Sequence, residues 1–269
     1  MEKVTYILPI HKFDEEVASF VKKALESVIN IETDTEDRLI VVGPKSAIEK
    51  VNDIYNSLNG KLNVLLLENE EATDYFSQVN KAAAQCVTPY FSIIEFDDTY
   101  KPYWKKCALN YAKNGASVLI PINELVSDGN FVSFGNEISW SASFAENEQT
   151  SLGILTEKEL SVYMDFFLNG AFFKTEDFIS VGGFKPSLEI ASHYEYLLRA
   201  NYKNQKVFVV PKIGYSHTVN REGSYSNVEY SNISEKKGKW LIETARKEYF
   251  FKEDRNKQFE ENTTEEETE

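Results

Sequence analysis

"FSIIEFDDTYKPYW", residues 91–104, runs from an apolar stretch into three carboxylates and then turns. It decides the fold because it closes a series. Upstream, apolar runs rich in β-branched residues alternate with segments of helical period. In order these are "VTYILPI" (4–10), "EEVASFVKKALESVI" (15–29), "RLIVVG" (38–43), a helix carrying Ile48, Val51, Ile54, Tyr55 and Leu58, "KLNVLLL" (61–67) and "DYFSQVNKAAAQC" (74–86). "YFSIIEF" (90–96) is then a fourth strand, "YWKKCALNYAK" (103–113) a fourth helix and "SVLIPI" (117–122) a fifth strand. Strands and helices of this length in strict alternation predict an α/β unit with a largely parallel sheet. The near-continuous apolar runs fit strands buried on both faces. Asp14 and Ser46 are the expected N-caps of the first two helices, and Asn59-Gly60 ends the second.

Open sheets of this kind bind ligands outside the carboxyl ends of their strands, where strand order reverses. For the order 3-2-1-4 that place lies between strands one and four. Their ends carry Pro9-Ile10-His11-Lys12 and Glu95-Phe96-Asp97-Asp98. Mg2+ and Mn2+ take oxygen ligands from one or two carboxylates and share the rest of their shell with phosphates and water. Asp97 is the first-choice ligand and Asp98 the second, with a competing role for Asp98 as the cap of a helix starting near Tyr100. Along an extended strand Glu95 has the parity of Asp97. A bare Asp-Asp pair at a strand end is also common without a metal. Lys12 and Lys45 can offer charge to a diphosphate, or stand as solvated surface lysines.

Past residue 122 the pattern loosens. "ELVSDGNFVSFGNEISW" reads as a hairpin turning at Asp128-Gly129, and "SASFAENEQTSLGILTEKEL" as a mobile loop and a short helix. "NGAFFKTEDFISVGGF" (169–184) gives a strand, a short helix and a double-glycine turn. "YEYLLRANY" (194–202) is a helix, "KVFVVP" (206–211) a strand and 234–254 a C-terminal helix with Trp240, Leu241 and Ala245 toward the body. Arg199 stands at i, i+4 from Glu195, the spacing of a helical ion pair.

The chain has 269 residues and 42% hydrophobic content, enough for a well-buried core. Its net charge of −14 disfavours stable binding to nucleic acid or anionic membranes. No apolar stretch is long enough to span a bilayer, and the start lacks a signal-peptide pattern, so a soluble, cytoplasmic protein is expected. Cys86 and Cys107 make neither a disulfide framework nor a zinc site and are expected as half-buried thiols. "EENTTEEETE" reads as a disordered acidic tail.

Over roughly residues 3 to 225 the chain resembles the family 2 glycosyltransferases of the GT-A fold. "TYILPIHK" is similar to the family's strand-one motif, with His11 and Lys12 at its last two places. "SQVNKAAAQCVTPYFSIIEFDD" resembles its Asn-to-acidic-cluster block, with Asn80 on the Asn and Glu95, Asp97 and Asp98 on the cluster. "VGGFKPSLEIASHYEYLLRANYKNQKVFVVP" and "GYSHTVNREGSYS" resemble its later Gly-Gly-Phe and histidine segments. The resemblance implies a GT-A-like, Rossmann-type mostly parallel sheet with flanking helices and a smaller acceptor-side lobe. It implies one domain over 1–255, with a nucleotide-binding half (1–115), an acceptor-side half (116–230) and a C-terminal helix (231–255), before a tail at 256–269. The implied activity is inverting, metal-dependent sugar transfer from a nucleotide-diphosphate donor, a UDP-sugar first, to a hydroxyl acceptor such as a glycan. Pro9, His11, Lys12, Asn80, Glu95, Gly182 and Gly183 would then serve the donor, and His217 would join Asp97 and Asp98 on Mn2+ or Mg2+. Two departures stand out. Gly43-Pro44 replaces the aspartate pair that contacts the base and ribose, and Ser192-His193 replaces the pair carrying the general base. His193 or Glu195 is left as base, with Glu189 nearby; the alternative is a catalytically degenerate binding or structural protein.

Overall fold

The computed structural model describes residues 2–31, 34, 36–71, 74–137, 153–221 and 235–249. The last residues of the expected hairpin (138–140), the first part of the stretch expected as a mobile loop (141–152), the later part of the histidine segment (222–226), both ends of the expected C-terminal helix and the acidic tail lie outside the described residues.

The first half follows its hydrophobic periods. β1 (Val4–Pro9), β2 (Arg38–Gly43), β3 (Asn63–Glu68) and β4 (Tyr90–Ile93) alternate with α1 (Glu15–Asn30), α2 (Lys45–Ser57) and α3 (Tyr75–Ala83). All pairings within the order β3-β2-β1-β4 are parallel. The sheet then continues through strands of mixed direction. β9 (Phe172–Lys174) runs antiparallel to β4 and to β6 (Val118–Ser127), and β10 (Val207–Thr218) runs parallel to β6. β5 (Thr99–Tyr100) closes the far edge on β10, while β7 (Asn130–Gly135) and β8 (Ile154–Leu155) pair with β6 and β10.

Alternation along the buried strands supplies two cores. Tyr6, Leu8, Leu39 and Val41 face α1, α2 and α4 (Trp104–Ala112). Ile7, Ile40, Val42 and Phe91 face the other layer. That layer holds α3, α5 (Glu157–Val162), α6 (Thr175–Ser180), α7 (Ser192–Tyr202) and α8 (235–249).

Local signals act as expected at several points. Asp14 Oδ1 accepts from the Val17 N–H at 2.9 Å, and Asp128-Gly129 turns the β6–β7 hairpin with positive φ at both residues. Cys86 and Cys107 are free and half-buried. Other expectations are corrected. Pro44, not Ser46, precedes α2: it stands at the N-cap with extended ψ and gives no side-chain cap, and its carbonyl accepts from the Ala47 and Ile48 N–H groups, so Ser46 already lies in the first turn. β4 ends at Ile93, and the chain turns at Phe96–Asp97, so the strand parity of Glu95 and Asp97 does not apply. Asp98 precedes β5 rather than a helix, since α4 begins only at Trp104. In α8, Leu241 and Ala245 are buried, whereas Trp240 is 60% exposed and faces away from the body.

Candidate functional site: an acidic cluster at the sheet's switch point

β1 and β4 are neighbours, while the chain runs on from them in opposite directions along the sheet, to β2 on one side and to β5 at the far edge on the other, so a crevice opens above their carboxyl ends. Glu95 and Asp98 leave the β4 side of that crevice, and His217 reaches it from β10. One ligand atom from each of the three lies within 4.8 Å of the others. Asp98 Oδ2 is 2.8 Å from His217 Nδ1, and Asp98 Oδ1 accepts from the Thr218 N–H at 2.7 Å. Glu95 Oε1 accepts from Asn169 Nδ2 at 2.5 Å, and the Glu95 N–H donates to the Tyr215 hydroxyl at 3.0 Å.

Crowded burial perturbs these groups. Burial first, and then Asp98, push Glu95 up to about 8. Burial would lower His217, but Asp98, Glu95 and Asp97 together raise it to about 9. The set can hold a divalent cation: two carboxylates suit Mn2+ and Mg2+, and the imidazole nitrogen favours Mn2+ of the two.

Asp97 points elsewhere. Its Oδ2 accepts from Arg221 Nε at 2.7 Å, and the guanidinium packs against Phe96 and Phe20 of α1. Burial and Asp98 raise Asp97, with Arg221 pulling the other way. His11 lies on this side, its ring 5.9 Å from Phe96 and its pKa lowered by burial, Lys12 and Arg221. Lys12 is exposed, 3.9 Å from Asp14, and Lys45 lies 3.7 Å from Glu68. Pro9 is buried at the end of β1. Gly43 is a close approach: a Cβ there would lie 2.0 Å from the Ile10 carbonyl oxygen, so no side chain fits where the family's aspartate would stand.

Asn80, Gly182 and Gly183 form one structural unit. Asn80 donates to the Phe184 carbonyl and accepts from its N–H, both at 2.8 Å. Gly183, at φ 66°, sits so close that a Cβ would meet Asn80 Oδ1 at 2.4 Å. Arg199 donates to the carbonyls of Val181 and Gly183 from the other side. Glu195 holds that arginine through both carboxylate oxygens, at 2.9 and 2.8 Å, and also accepts from Lys185 and from the Tyr249 hydroxyl of α8. Burial would raise Glu195, but its partners, Arg199 foremost, bring it below the usual carboxylate value. Both its oxygens are thus committed to a latch rather than turned to the cleft.

His193 packs its ring against Tyr75, Phe76 and Phe184, with centroids 5.3–6.1 Å away. Its Nε2 is enclosed and has no protein partner. Burial, then His217, push its pKa down to about 4. Glu189 is held 2.7 Å from Lys237 of α8.

The sequence pattern left out Asn169, Tyr215, Thr218 and Arg221. Asn169 and Tyr215 lie in runs that read as ordinary strand flanks. Arg221 does carry a signal, standing four residues after His217 in "SHTVNR".

A doubly wound sheet with an acidic, histidine-bearing crevice at its switch point defines a protein of GT-A-like fold. The chain belongs to glycosyl transferase family 2, whose family model matches residues 7–167. Solved glycosyltransferase structures share its fold. One is S. aureus TarS 1–349 in complex with UDP-GlcNAc, at TM-score 0.64 and 16% identity, covering 93% of this chain and 74% of that one. Another is the mannosyltransferase PcManGT from Pyrobaculum calidifontis in complex with GDP-Man and Mn2+, at TM-score 0.63 and 14% identity, covering 91% and 73%. No curated protein matches the chain in sequence. Among the described residues no helix is long and apolar enough to cross a membrane.

Proposed function

We propose that this protein transfers a sugar, with inversion, from a nucleotide-diphosphate donor to an acceptor hydroxyl, a UDP-sugar being the first donor to test. The observation that carries this is the convergence of Glu95, Asp98 and His217 at the switch point of a family 2 chain. UDP-GlcNAc and GDP-Man in the solved neighbours support a nucleotide sugar as the donor class. Those three residues would hold Mn2+ or Mg2+, which when bound neutralises the leaving diphosphate. With no side chain available at Gly43, base selection falls to other groups around the ends of β1 to β3.

Of the two base candidates, Glu195 serves the latch, so the acceptor proton falls to His193. Its ring is neutral near neutral pH, and in the tautomer that carries the proton on Nδ1 the enclosed, unpartnered Nε2 would accept a hydrogen bond from an acceptor hydroxyl once the aromatic side chains around it make room. A pKa of about 4 makes it a weak base, and this favours a second reading, a scaffold that binds donor without turnover.

Melting against UDP, GDP, CDP and ADP, each with and without Mn2+, tests the donor site. A ligand at ~100 times its Kd adds about 2.7 kcal/mol, which for a chain of this size raises the midpoint by about 5 to 11 °C. A shift with one diphosphate, dependent on Mn2+, is expected, and its absence with all four would overturn the proposal. Released sugar or glycosylated acceptor then separates transfer from mere binding.

A further inference from the structure

Asp97 and Asp98 are neighbours in sequence but turn to opposite sides. Asp98 faces β10, where it meets His217 Nδ1 and the Thr218 N–H. Asp97 faces α1, where Arg221 Nε reaches it at 2.7 Å and the guanidinium lies 5.0 Å from the Phe96 ring centre and 5.6 Å from that of Phe20. The two side chains of this pair are only 6% and 9% exposed. The end of β10 also grips the Asp97 backbone, through Thr218 Oγ1 donating to its carbonyl at 2.6 Å.

We propose that Arg221 is the internal counter-ion of the acidic cluster, holding Asp97 outside the ligand set so that a divalent cation is bound by Glu95, Asp98 and His217. The inference rests on the cation site proposed above and concerns which residues compose it. Three carboxylates in one enclosed crevice repel one another, and the field grows as water is excluded. A fixed guanidinium cancels one of them. Once a cation has displaced the protons of its ligands, the remaining two carboxylates match its charge and the histidine adds a neutral ligand. A buried, hydrogen-bonded pair of this kind is costly to open from either side, because the partner left behind is a bare charge in an apolar setting. Between Phe20 and Phe96, Arg221 has such a setting. His217 and Arg221 stand four residues apart, so one segment supplies both a ligand and the counter-ion, and a change in either alters the charge at the site.

Mn2+ binding to the full chain, by calorimetry and by the loss of the free-ion electron spin resonance signal, tests this with UDP or GDP present and absent. Asp98→Asn and His217→Gln are expected to weaken Mn2+ by at least about tenfold. The paired variant Asp97→Asn/Arg221→Met, which removes both charges together, is expected to keep Mn2+ affinity near that of wild type, short of the tenfold loss that removing a ligand brings. Arg221→Met alone leaves Asp97 as an extra negative group and is expected to tighten Mn2+; Arg221→Lys keeps the charge and serves as the folding control. A tenfold or greater loss in the paired variant, with a native melting curve, would place Asp97 among the ligands and overturn this inference alone. No Mn2+ binding by the wild type under any of these conditions would overturn the cation site itself.

Discussion

The two halves of the sheet are built differently. From β1 to β3 each strand pairs in parallel with the next strand of the chain, and α1 and α2 pack where their own apolar periods put them; only the β1–β4 pairing reaches far along the sequence, Val4 to Tyr90. From β6 to β10 the structure depends on partners far apart. Asn80 clamps Phe184 across 104 residues, Tyr249 reaches Glu195 across 54, and Lys237 reaches Glu189 across 48. The candidate site sits on the seam, where Asp98 from the first half meets His217 from the second, 119 residues away. The contrast teaches that β1 to β3 and their helices follow local pattern, while the second half rests on polar ties between distant residues, of which the first half has fewer, chiefly the buried Lys105–Asp37 pair and Thr5–Thr88. Those ties are therefore where single substitutions should cut deepest.

Arg199→Met is the largest test of that contrast. It leaves the buried Glu195 with Lys185 and Tyr249 as its remaining partners and frees the carbonyls of Val181 and Gly183. Breaking one side of a buried pair costs about 3–5 kcal/mol when the charge left behind is uncompensated; with Lys185 and Tyr249 still on Glu195 the low end, about 3 kcal/mol, is expected, so the melting midpoint should fall by about 6 to 12 °C. A fall of under 2 °C would show that the double-glycine turn stands without its clamp.

His193 offers the next test. Its pKa is about 4 in the folded chain, against the ordinary histidine value of 6.5. The unfolded chain therefore binds the proton first, and the contribution to stability is lost as pH falls from 6.5 toward 4. A shift of this size corresponds to roughly 3 kcal/mol, reduced because the residue is only half-buried. His193→Phe should flatten the acid side of the melting-versus-pH curve. In the proposed reaction the unprotonated base persists down to about pH 4, so the wild-type rate should show no decline between pH 7 and 5 arising from this group. An acid limb near 6.5 that vanishes in His193→Gln would contradict the burial assigned to it.

What the sequence made legible divides along the same seam. The strand order, the Asp14 cap and the Asp128-Gly129 turn were readable because period, capping and turn chemistry act over a few residues. The acidic residues and His217 were nameable, but which aspartate faces which partner was not. β4 stops at Ile93, so the alternation that would orient Asp97 is gone by the time the chain reaches it. Arg221 decides that orientation from 124 residues away. β5, at two residues, is too short to carry a period. Glu195 and Arg199 were readable as a helical pair, yet their grip on the double-glycine turn depends on α7 lying against it, which only the packed structure fixes.

Tyr249→Phe isolates the tie from α8 to that latch. The hydroxyl donates to Glu195 Oε1 at 2.6 Å, while the ring keeps its contact with Tyr202. Because Arg199 and Lys185 still satisfy the carboxylate, the loss should be modest, about 1.5 kcal/mol for one hydrogen bond to a charged group, or about 3 to 6 °C. If α8 is a strut for the acceptor side alone, Mn2+ and nucleotide affinity should stay unchanged in this variant. A matching drop in nucleotide affinity would extend the strut's reach across the seam.

Asp14→Ala is the smallest change and the sharpest control. The Asp14 carboxylate caps α1 through a bond from the Val17 N–H and lies 3.9 Å from the exposed Lys12. Losing an N-cap costs about 1 kcal/mol, so the midpoint should drop by about 2 to 4 °C. Local construction also makes a second claim. The cost should add to that of Arg199→Met within about 0.5 kcal/mol, as it does for sites that share no partner. A combined loss well beyond the sum would mean that α1, which packs Phe20 against Arg221, transmits its fraying to the seam. The first half would then be less self-sufficient than its periodicity implies.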